Sequence, residues 1–176
     1  MEAVCFSREV LLASPSVSRF QKVLLLSDGS VTELLCIYTG HEIATKKIEQ
    51  HIRSGRSPQA LAVGDGTPLL HRRILLTDRG IPQVYAESVF VHDALSPETA
   101  RQLRDSDTPI GKLWRQERTE MYRDIIDIRL ERDASVARHF NLPDDDPLLS
   151  RTYVLLQNRA RLGMITEKFP YSSFRA

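Results

Sequence analysis

Two pairs of strand-like segments, each pair joined by a short polar turn, constrain the fold of this 176-residue chain more than any other feature. Residues 69–77 and 83–91 flank one turn, and residues 148–157 and 161–169 flank another. The last segment is rich in β-branched and aromatic residues and is stopped by Pro170. Because two such segments around a turn predict a β-hairpin, we expect an antiparallel sheet.

Helix signals occur in five other segments. The apolar residues 18–26 fit a short helix, and Ser30 begins a capping-box spacing whose helix is expected to stop at Gly40. A proline and an acidic residue in the first helical turn, such as Pro97 and Glu98, also indicate the start of a helix. Further helices are predicted over residues 97–104, 110–116 and 134–140.

Two remaining segments complete the expected fold. Residues 122–130 are predicted to form a strand with Tyr122, Ile126, Ile128 and Leu130 on one face. The spacing in residues 43–52 fits either a strand or a helix. We therefore predict an α+β fold in which an antiparallel sheet of about six strands carries helices on one side. At this length, residues 1–176 are expected to form a single domain.

Composition excludes several classes of protein. Apolar residues make up 41% and charged residues 27%, which is typical of a globular chain. The net charge of +1 produces no overall field that would recruit nucleic acid or an anionic membrane. No apolar run reaches the roughly 20 residues that span a bilayer, and the N-terminus shows no secretory pattern. We expect a cytoplasmic protein without nucleic-acid or membrane partners.

Familiar catalytic motifs are missing from the sequence. It contains no phosphate-binding glycine loop, no H-E-x-x-H motif and no G-x-S-x-G nucleophile elbow. Its histidines lack metal-ligand spacing, and its two cysteines, Cys5 and Cys36, lie far apart. No metal site is therefore expected, and any recognition of an anion must come from a few local arginines.

Charged residues lie at strand positions that alternation assigns to an apolar interior. Glu167 shares a strand face with Ile165 and Phe169, and Arg72 shares one with Leu70 and Ile74. By the same alternation Arg151 and Glu87 also point inward. A buried unpaired charge costs several kcal/mol, so each must pair or meet a charged ligand.

Two interpretations of these charges stay open. Any one of them is most simply explained by an internal ion pair or by an exposed edge strand. Arg72 and Glu167 together, on separate hairpins, favour an anion-binding cavity, since the planar fork of arginine grips a carboxylate with two hydrogen bonds. The segment Thr108-Pro109-Ile110-Gly111 adds backbone amides of Ile110 and Gly111 at a helix start, where an anion can bind; ordinary helix initiation is the alternative.

The order of these motifs resembles a known family. H71-R-R-I-L-L, Y85-A-E-S-V, T108-P-I-G, S150-R-T-Y and I165-T-E-K-F-P occur in the same order as in the chorismate pyruvate-lyase family. The chain is most similar to the single-domain branch that includes mycobacterial 4-hydroxybenzoate-forming enzymes. The resemblance implies a cofactor-free lyase that converts chorismate to 4-hydroxybenzoate and pyruvate, with a six-stranded antiparallel sheet and flaps over the ligand.

The resemblance also implies roles for individual residues. Arg72 matches an arginine that binds a substrate carboxylate, and Glu167 matches a catalytic glutamate that contacts the ring hydroxyl. Ile110 and Gly111 match the backbone amides at the other end of the ligand. We expect Arg151 to help hold carboxylates. Ubiquinone-branch enzymes carry arginine at the position of Glu87, a predicted binding residue here, so the second carboxylate must be held otherwise.

A second class of protein shares the expected fold. UTRA-type effector domains of winged-helix transcription regulators contain a segment very like residues 134–151 of this chain. In that interpretation Arg72, Arg151 and Glu167 bind an effector and perform no chemistry. Fewer than twenty residues precede the first predicted helix, so we expect no attached DNA-binding domain. A stand-alone protein that binds an aromatic or sugar acid is the alternative to a lyase.

Overall fold

A computed structural model describes residues 3–105, 110–117 and 120–175. Its centre is an antiparallel sheet of seven strands in the order β1-β5-β6-β7-β4-β3-β2. This arrangement confirms the predicted α+β class, with slightly more strands than expected. The strands are β1 (Val4–Cys5), β2 (Ile43–Arg53), β3 (Leu69–Asp78), β4 (Ile81–Val91), β5 (Tyr122–Arg132), β6 (Pro147–Gln157) and β7 (Ala160–Pro170).

Both predicted hairpins are present, and they lie side by side because β4 pairs with β7. In each hairpin the two turn residues have positive φ, namely Arg79 and Gly80 in the first and Asn158 and Arg159 in the second. Positive φ at both central residues matches the twist of the flanking strands, which is why such turns join antiparallel neighbours tightly. The ambiguous segment 43–52 is a strand and forms one edge of the sheet.

The predicted helices begin and end near the expected residues, whereas the helix over Arg8–Ala13 was not predicted. Ser18 and Gln21 form a reciprocal capping box, whereas the Ser30 side chain makes no capping hydrogen bond. Gly40 ends the third helix with φ of 72°, which glycine adopts without a steric penalty. The α-helices are α1 (Arg8–Ala13), α2 (Arg19–Leu26), α3 (Val31–Thr39), α4 (Pro97–Asp105), α5 (Ile110–Gln116) and α6 (Ala134–Ala137), and 3₁₀ turns span Gln59–Leu61, His92–Ala94 and Arg138–Phe140.

One face of the sheet carries two separate apolar clusters. Helices α1, α2 and α3 pack over one half of this face, and helices α4 and α5 pack over the other half. The opposite face is covered only in patches, by Val136 and Phe140 at one place and by Leu61 at another. We call the first face the helix face and the second the open face. The gap between the two helix-face clusters is where a ligand could reach the strands.

A β-bulge in β5 changes which of its side chains face the helices. The register of β5 against β6 shifts between Ile125 and Asp127. The expectation that Tyr122, Ile126 and Ile128 share one face is therefore wrong: Tyr122 and Ile126 are 64% and 48% exposed, whereas Ile128 is buried. A bulge adds one residue to the strand, so the alternation of side chains is reversed on its two sides. Before the bulge, the side chains that face the helices are therefore those that alternation counted from Ile128 would assign to the open face.

In the described part of the chain, no helix has the length and apolar character needed to cross a membrane.

Candidate ligand-binding site

A pocket occupies the gap between the two helix-face clusters. It encloses about 600 Å³ of space between protein atoms, part of it open to solvent. One wall is the α2–α3 connection and the start of α3, and another is helix α5. The strands form the floor. The lining residues on the walls are Gly29, Ser30, Val31, Thr32, Ile110, Gly111 and Trp114.

Arg72 and Glu167 both line the floor of this pocket. Arg72 lies on β3 and Glu167 on β7, with β4 between them, so about 10 Å separates their strands. Both residues are buried, at 2% and 7% exposure. Strand alternation predicted that these two charges point toward one interior, and in the structure both line the same cavity.

The Glu167 carboxylate accepts hydrogen bonds at both of its oxygens. Arg151 Nε donates to Oε2 at 2.7 Å, and the Tyr153 hydroxyl donates to Oε1 at 3.2 Å. Burial raises the pKa of the Tyr153 hydroxyl, and the nearby Glu167 charge raises it further, so the phenol stays protonated and remains a donor. Glu167 is thus fixed in one orientation at the pocket floor.

Arg151 lies behind Glu167 and is not among the lining residues. Burial disfavours its charge, but the facing Glu167 carboxylate outweighs this and holds the pKa of the guanidinium above its ordinary value. Nη1 donates to the Ser27 carbonyl at 2.6 Å, and Nη2 has no hydrogen-bond partner within the described residues. The expectation that Arg151 holds a substrate carboxylate is therefore corrected: it supports Glu167 and the α2–α3 connection.

Glu87 lies on the open face, away from the pocket. Arg73 is its cross-strand neighbour, whereas Arg72 faces Ser88. Arg73 donates to Glu87 at 3.2 Å and to Glu49 at 2.9 Å, and all three side chains are more than 40% exposed. Glu87 does share a face with Tyr85, as alternation indicated, but that face is not the one that carries the site. The expectation that Glu87 points toward the same interior as Arg72 is wrong.

Ile110 and Gly111 line the pocket at the start of α5, opposite the strands. Among the described residues, a Cβ on Gly111 would meet only the Ser30 hydroxyl oxygen, at 4.0 Å, so the glycine leaves space toward the cavity. Binding of an anion by the two amides stays a prediction. Thr108 and Pro109, which carry part of the same predicted motif, lie outside the described residues.

The lining residues that the sequence did not single out as site residues include Trp114, Arg123 and Tyr153. Tyr153 shares its strand face with Arg151, so the same alternation that singled out Arg151 could have found it. Arg123 reaches the helix face only because of the bulge in β5, and strict alternation assigned it to the other side. Among the described residues, no group of three His, Cys, Asp or Glu side chains could hold a metal ion.

Comparison with known proteins identifies the family of the chain. A family model described as "Chorismate pyruvate-lyase Rv2949c-like" matches residues 25–175. The chain belongs to this family. It is 29% identical over 154 residues to "Putative lyase MJ0807" of Methanocaldococcus jannaschii, covering 85% of this chain and 77% of that protein. It is 26% identical over 161 residues to "Uncharacterized protein ycf21" of Cyanophora paradoxa, covering 90% and 80%. Membership in this family supports a lyase.

Solved structures with the same fold include an effector domain and other transcription regulators. The effector domain of PhnF from Mycobacterium smegmatis superposes with a TM-score of 0.63 at 16% identity, covering 83% of this chain and 91% of that one. A GntR-family regulator from Bacillus cereus superposes with a TM-score of 0.61 at 15% identity, covering 77% and 96%. At this identity the likeness concerns the fold alone.

Proposed function

We propose that this protein cleaves chorismate to 4-hydroxybenzoate and pyruvate without a cofactor. The observation that carries the proposal is that Arg72 and Glu167, on strands two apart, line one pocket closed by helices. Family membership over residues 25–175 supports the same reaction. A buried arginine and a buried carboxylate at opposite places on the floor suit a substrate with an acid group and a hydroxyl group.

The reaction needs little covalent help from the protein. The bond between ring carbon 3 and the enolpyruvyl oxygen breaks, and a proton leaves ring carbon 4, so that the ring becomes aromatic. The released enolpyruvate takes up a proton and becomes pyruvate. Since aromatisation supplies the driving force, the site mainly has to orient chorismate and stabilise negative charge on the departing oxygen.

Each pocket residue has a role in this scheme. Arg72 binds the ring carboxylate through its planar fork. Glu167, oriented by Arg151 and Tyr153, accepts a hydrogen bond from the ring hydroxyl and stands near the proton that leaves carbon 4. The amides of Ile110 and Gly111 contact the other end of the ligand. The apolar floor and Trp114 exclude water, which strengthens these interactions.

The direct test is to incubate the purified protein with chorismate and to measure 4-hydroxybenzoate by absorbance after chromatography and pyruvate by a coupled assay. Equal amounts of the two products are expected, at a rate proportional to the protein concentration. The Arg72→Ala variant is expected to lose both turnover and binding of 4-hydroxybenzoate. An Arg73→Ala variant is the matched control, because Arg73 adjoins Arg72 in β3 but lies on the open face.

A second candidate function is binding of an aromatic or sugar acid without chemistry. The specific observation in its favour is the fold shared with effector domains of transcription regulators. The two functions differ in one measurable outcome. Binding of an acid in the pocket with no release of pyruvate from chorismate would favour the effector-type function and contradict the lyase proposal.

A further inference from the structure

Arg123 occupies a distinctive place at the entrance of the pocket. It lines the pocket together with Arg72 and Glu167, and it also borders a surface depression beside the α2–α3 connection. Its Nη1 donates to the Asp28 carbonyl, and its guanidinium carbon lies 6.0 Å from the centre of the Tyr153 ring. A guanidinium has further donors beyond one hydrogen bond to a carbonyl. Arg123 is thus a cation placed between the interior and solvent.

The charges around the pocket favour a ligand with two negative groups. Among the described residues, the charged side chains that line it are two arginines, Arg72 and Arg123, and one carboxylate, Glu167. Arg151 lies directly behind Glu167 and forms a buried ion pair with it at 2.7 Å. Besides Glu167, which this pair holds, the charged side chains among the described lining residues are those of Arg72 and Arg123. Two cations in a partly closed pocket attract a dianion more strongly than a monoanion.

The two arginines approach the pocket from opposite sides. Arg72 is on β3 and Arg123 is on β5, and strands β4, β7 and β6 lie between them. Four strand spacings place their backbones about 19 Å apart, so the two guanidinium groups extend from opposite edges of the floor. This separation suits two distinct acid groups on one ligand rather than one shared carboxylate.

We propose that Arg123 binds a second carboxylate of the ligand, so that the pocket is specific for ring acids that carry a second acid group on an ether side chain. The inference rests on the proposed function, in which that group is the enolpyruvyl carboxylate of chorismate. The bulge in β5 is the feature that aims Arg123 inward.

Arg123 also ties the α2–α3 connection to the sheet through the Asp28 carbonyl, so its removal could act through that connection alone. Ligands that differ only in the second acid group separate these effects. We choose 3-carboxymethoxy-4-hydroxybenzoate as the dianion and 3-methoxy-4-hydroxybenzoate as the monoanion. Both keep the ring carboxylate, the hydroxyl and the ether oxygen, and neither can release pyruvate.

The experiment measures the affinity of both ethers by calorimetry for the wild-type chain and for Arg123→Gln, Arg123→Lys and Arg129→Gln. Arg129 is the matched control, since it is on β5 and pairs with Asp127 outside the pocket. We expect the wild-type protein to prefer the dianion and Arg123→Gln to lose at least about tenfold of that preference, with little change for the monoanion. Arg123→Lys should keep part of the preference, and Arg129→Gln all of it.

Three outcomes would overturn the inference: an equal loss of affinity for both ethers in Arg123→Gln, an unchanged preference in that variant, or a wild-type protein without preference for the dianion.

Failure of the proposed function would give a different set of results. If the wild-type chain releases no pyruvate from chorismate but its preference for the dianion depends on Arg123, the lyase proposal falls and the dianion site remains. If it turns over chorismate and Arg123→Gln keeps both its KM and its ligand preference, only the dianion site falls.

Discussion

The two faces of the sheet each contain arginine and glutamate as direct cross-strand partners, yet the two pairs have different roles. On the helix face, Arg151 and Glu167 are 1% and 10% exposed and 2.7 Å apart. On the open face, Arg73 and Glu87 are 47% and 43% exposed and 3.2 Å apart. The residue types and the pairing are the same, so the difference between them comes from burial.

Burial changes both the energetics and the use of such a pair. An exposed pair contributes about 0–1 kcal/mol because water screens it and its side chains lose entropy when held together. A buried pair has given up its hydration, and removing one partner leaves a charge that cannot recover it. The open-face pair is therefore an ordinary feature of a solvated strand surface. The helix-face pair fixes the orientation of a carboxylate beside a cavity.

The largest contrast between the faces is expected in catalysis. Glu167→Gln keeps the shape of the side chain but removes its negative charge, so turnover of chorismate is expected to fall about 100-fold or more. Binding of 4-hydroxybenzoate should be retained. Glu87→Gln makes the same change on the open face and should leave turnover unchanged. Equal rates for wild type and Glu167→Gln, measured as pyruvate release, would remove Glu167 from the chemistry.

The next contrast concerns the free energy of unfolding. Arg151→Met leaves Glu167 buried without its cation and is expected to cost about 3–5 kcal/mol, measured by urea denaturation. Arg73→Met is the control and should cost no more than about 1 kcal/mol. The double variant Arg151→Met, Glu167→Leu should regain most of the loss, since it removes both charges together. A cost for Arg151→Met as small as that for Arg73→Met would contradict the distinction between the faces.

A smaller effect is expected where the helix face is most tightly packed. A Cβ at Gly163 on β7 would lie 2.3 Å from Phe90 Cδ1 and 2.9 Å from the Val89 carbonyl oxygen. Gly163→Ala should therefore destabilise the fold by about 1–3 kcal/mol, seen as a lower urea midpoint. Gly111→Ala is the matched control: its Cβ has space, so stability should be kept while ligand affinity falls. A stable Gly163→Ala variant would show that β7 can shift away from β4.

The smallest predicted effect is a loss of stability at acid pH, caused by a carboxyl group on the open face. Burial disfavours the charge of Asp133, but hydrogen bonds from Ser135 and Lys168 outweigh this and lower the pKa of its carboxyl from 3.8 to about 2. Since the folded pKa is depressed, the stabilisation is complete above about pH 4 and is lost as the pH falls toward 2.

Protonation of Asp133 should lower the free energy of unfolding by at most about 2 kcal/mol. Urea midpoints measured at intervals between pH 5 and pH 2 test this expectation. The Asp133→Asn variant should lose this part of the pH dependence and keep the rest. If its midpoint falls with pH as steeply as that of the wild-type chain, the acid sensitivity comes from other carboxyl groups.

Much of the fold could be predicted because local signals decide it. The turns at Gly80 and Asn158 need positive φ and lie between strand-like segments, so the hairpins follow from short-range chemistry. Ser18 and Gly40 mark the helix ends for the same reason. Arg72 and Glu167 line one pocket, as alternation predicted, because both lie among apolar residues on regular strands.

The errors have a common physical cause. Alternation tells which side chains of one strand share a face, but not which face the helices cover, so Glu87 was assigned to the interior although it lies beside Arg73 on the open face. A bulge adds one residue and reverses the alternation, and no local residue signals it, so Tyr122 was assigned to the same face as Ile128 and Arg123 was missed.

The sequence by itself determined the hairpins, the helix ends and the presence of charged residues among apolar strand positions, since propensity and turn chemistry act over a few residues. Only the tertiary structure decided which charges meet. Helix packing chose the face that holds the pocket, burial distinguished Glu167 from Glu87, and pairing with β6 shifted the register of β5 and turned Arg123 inward. These features depend on contacts between distant segments, and a local pattern carries no information about them.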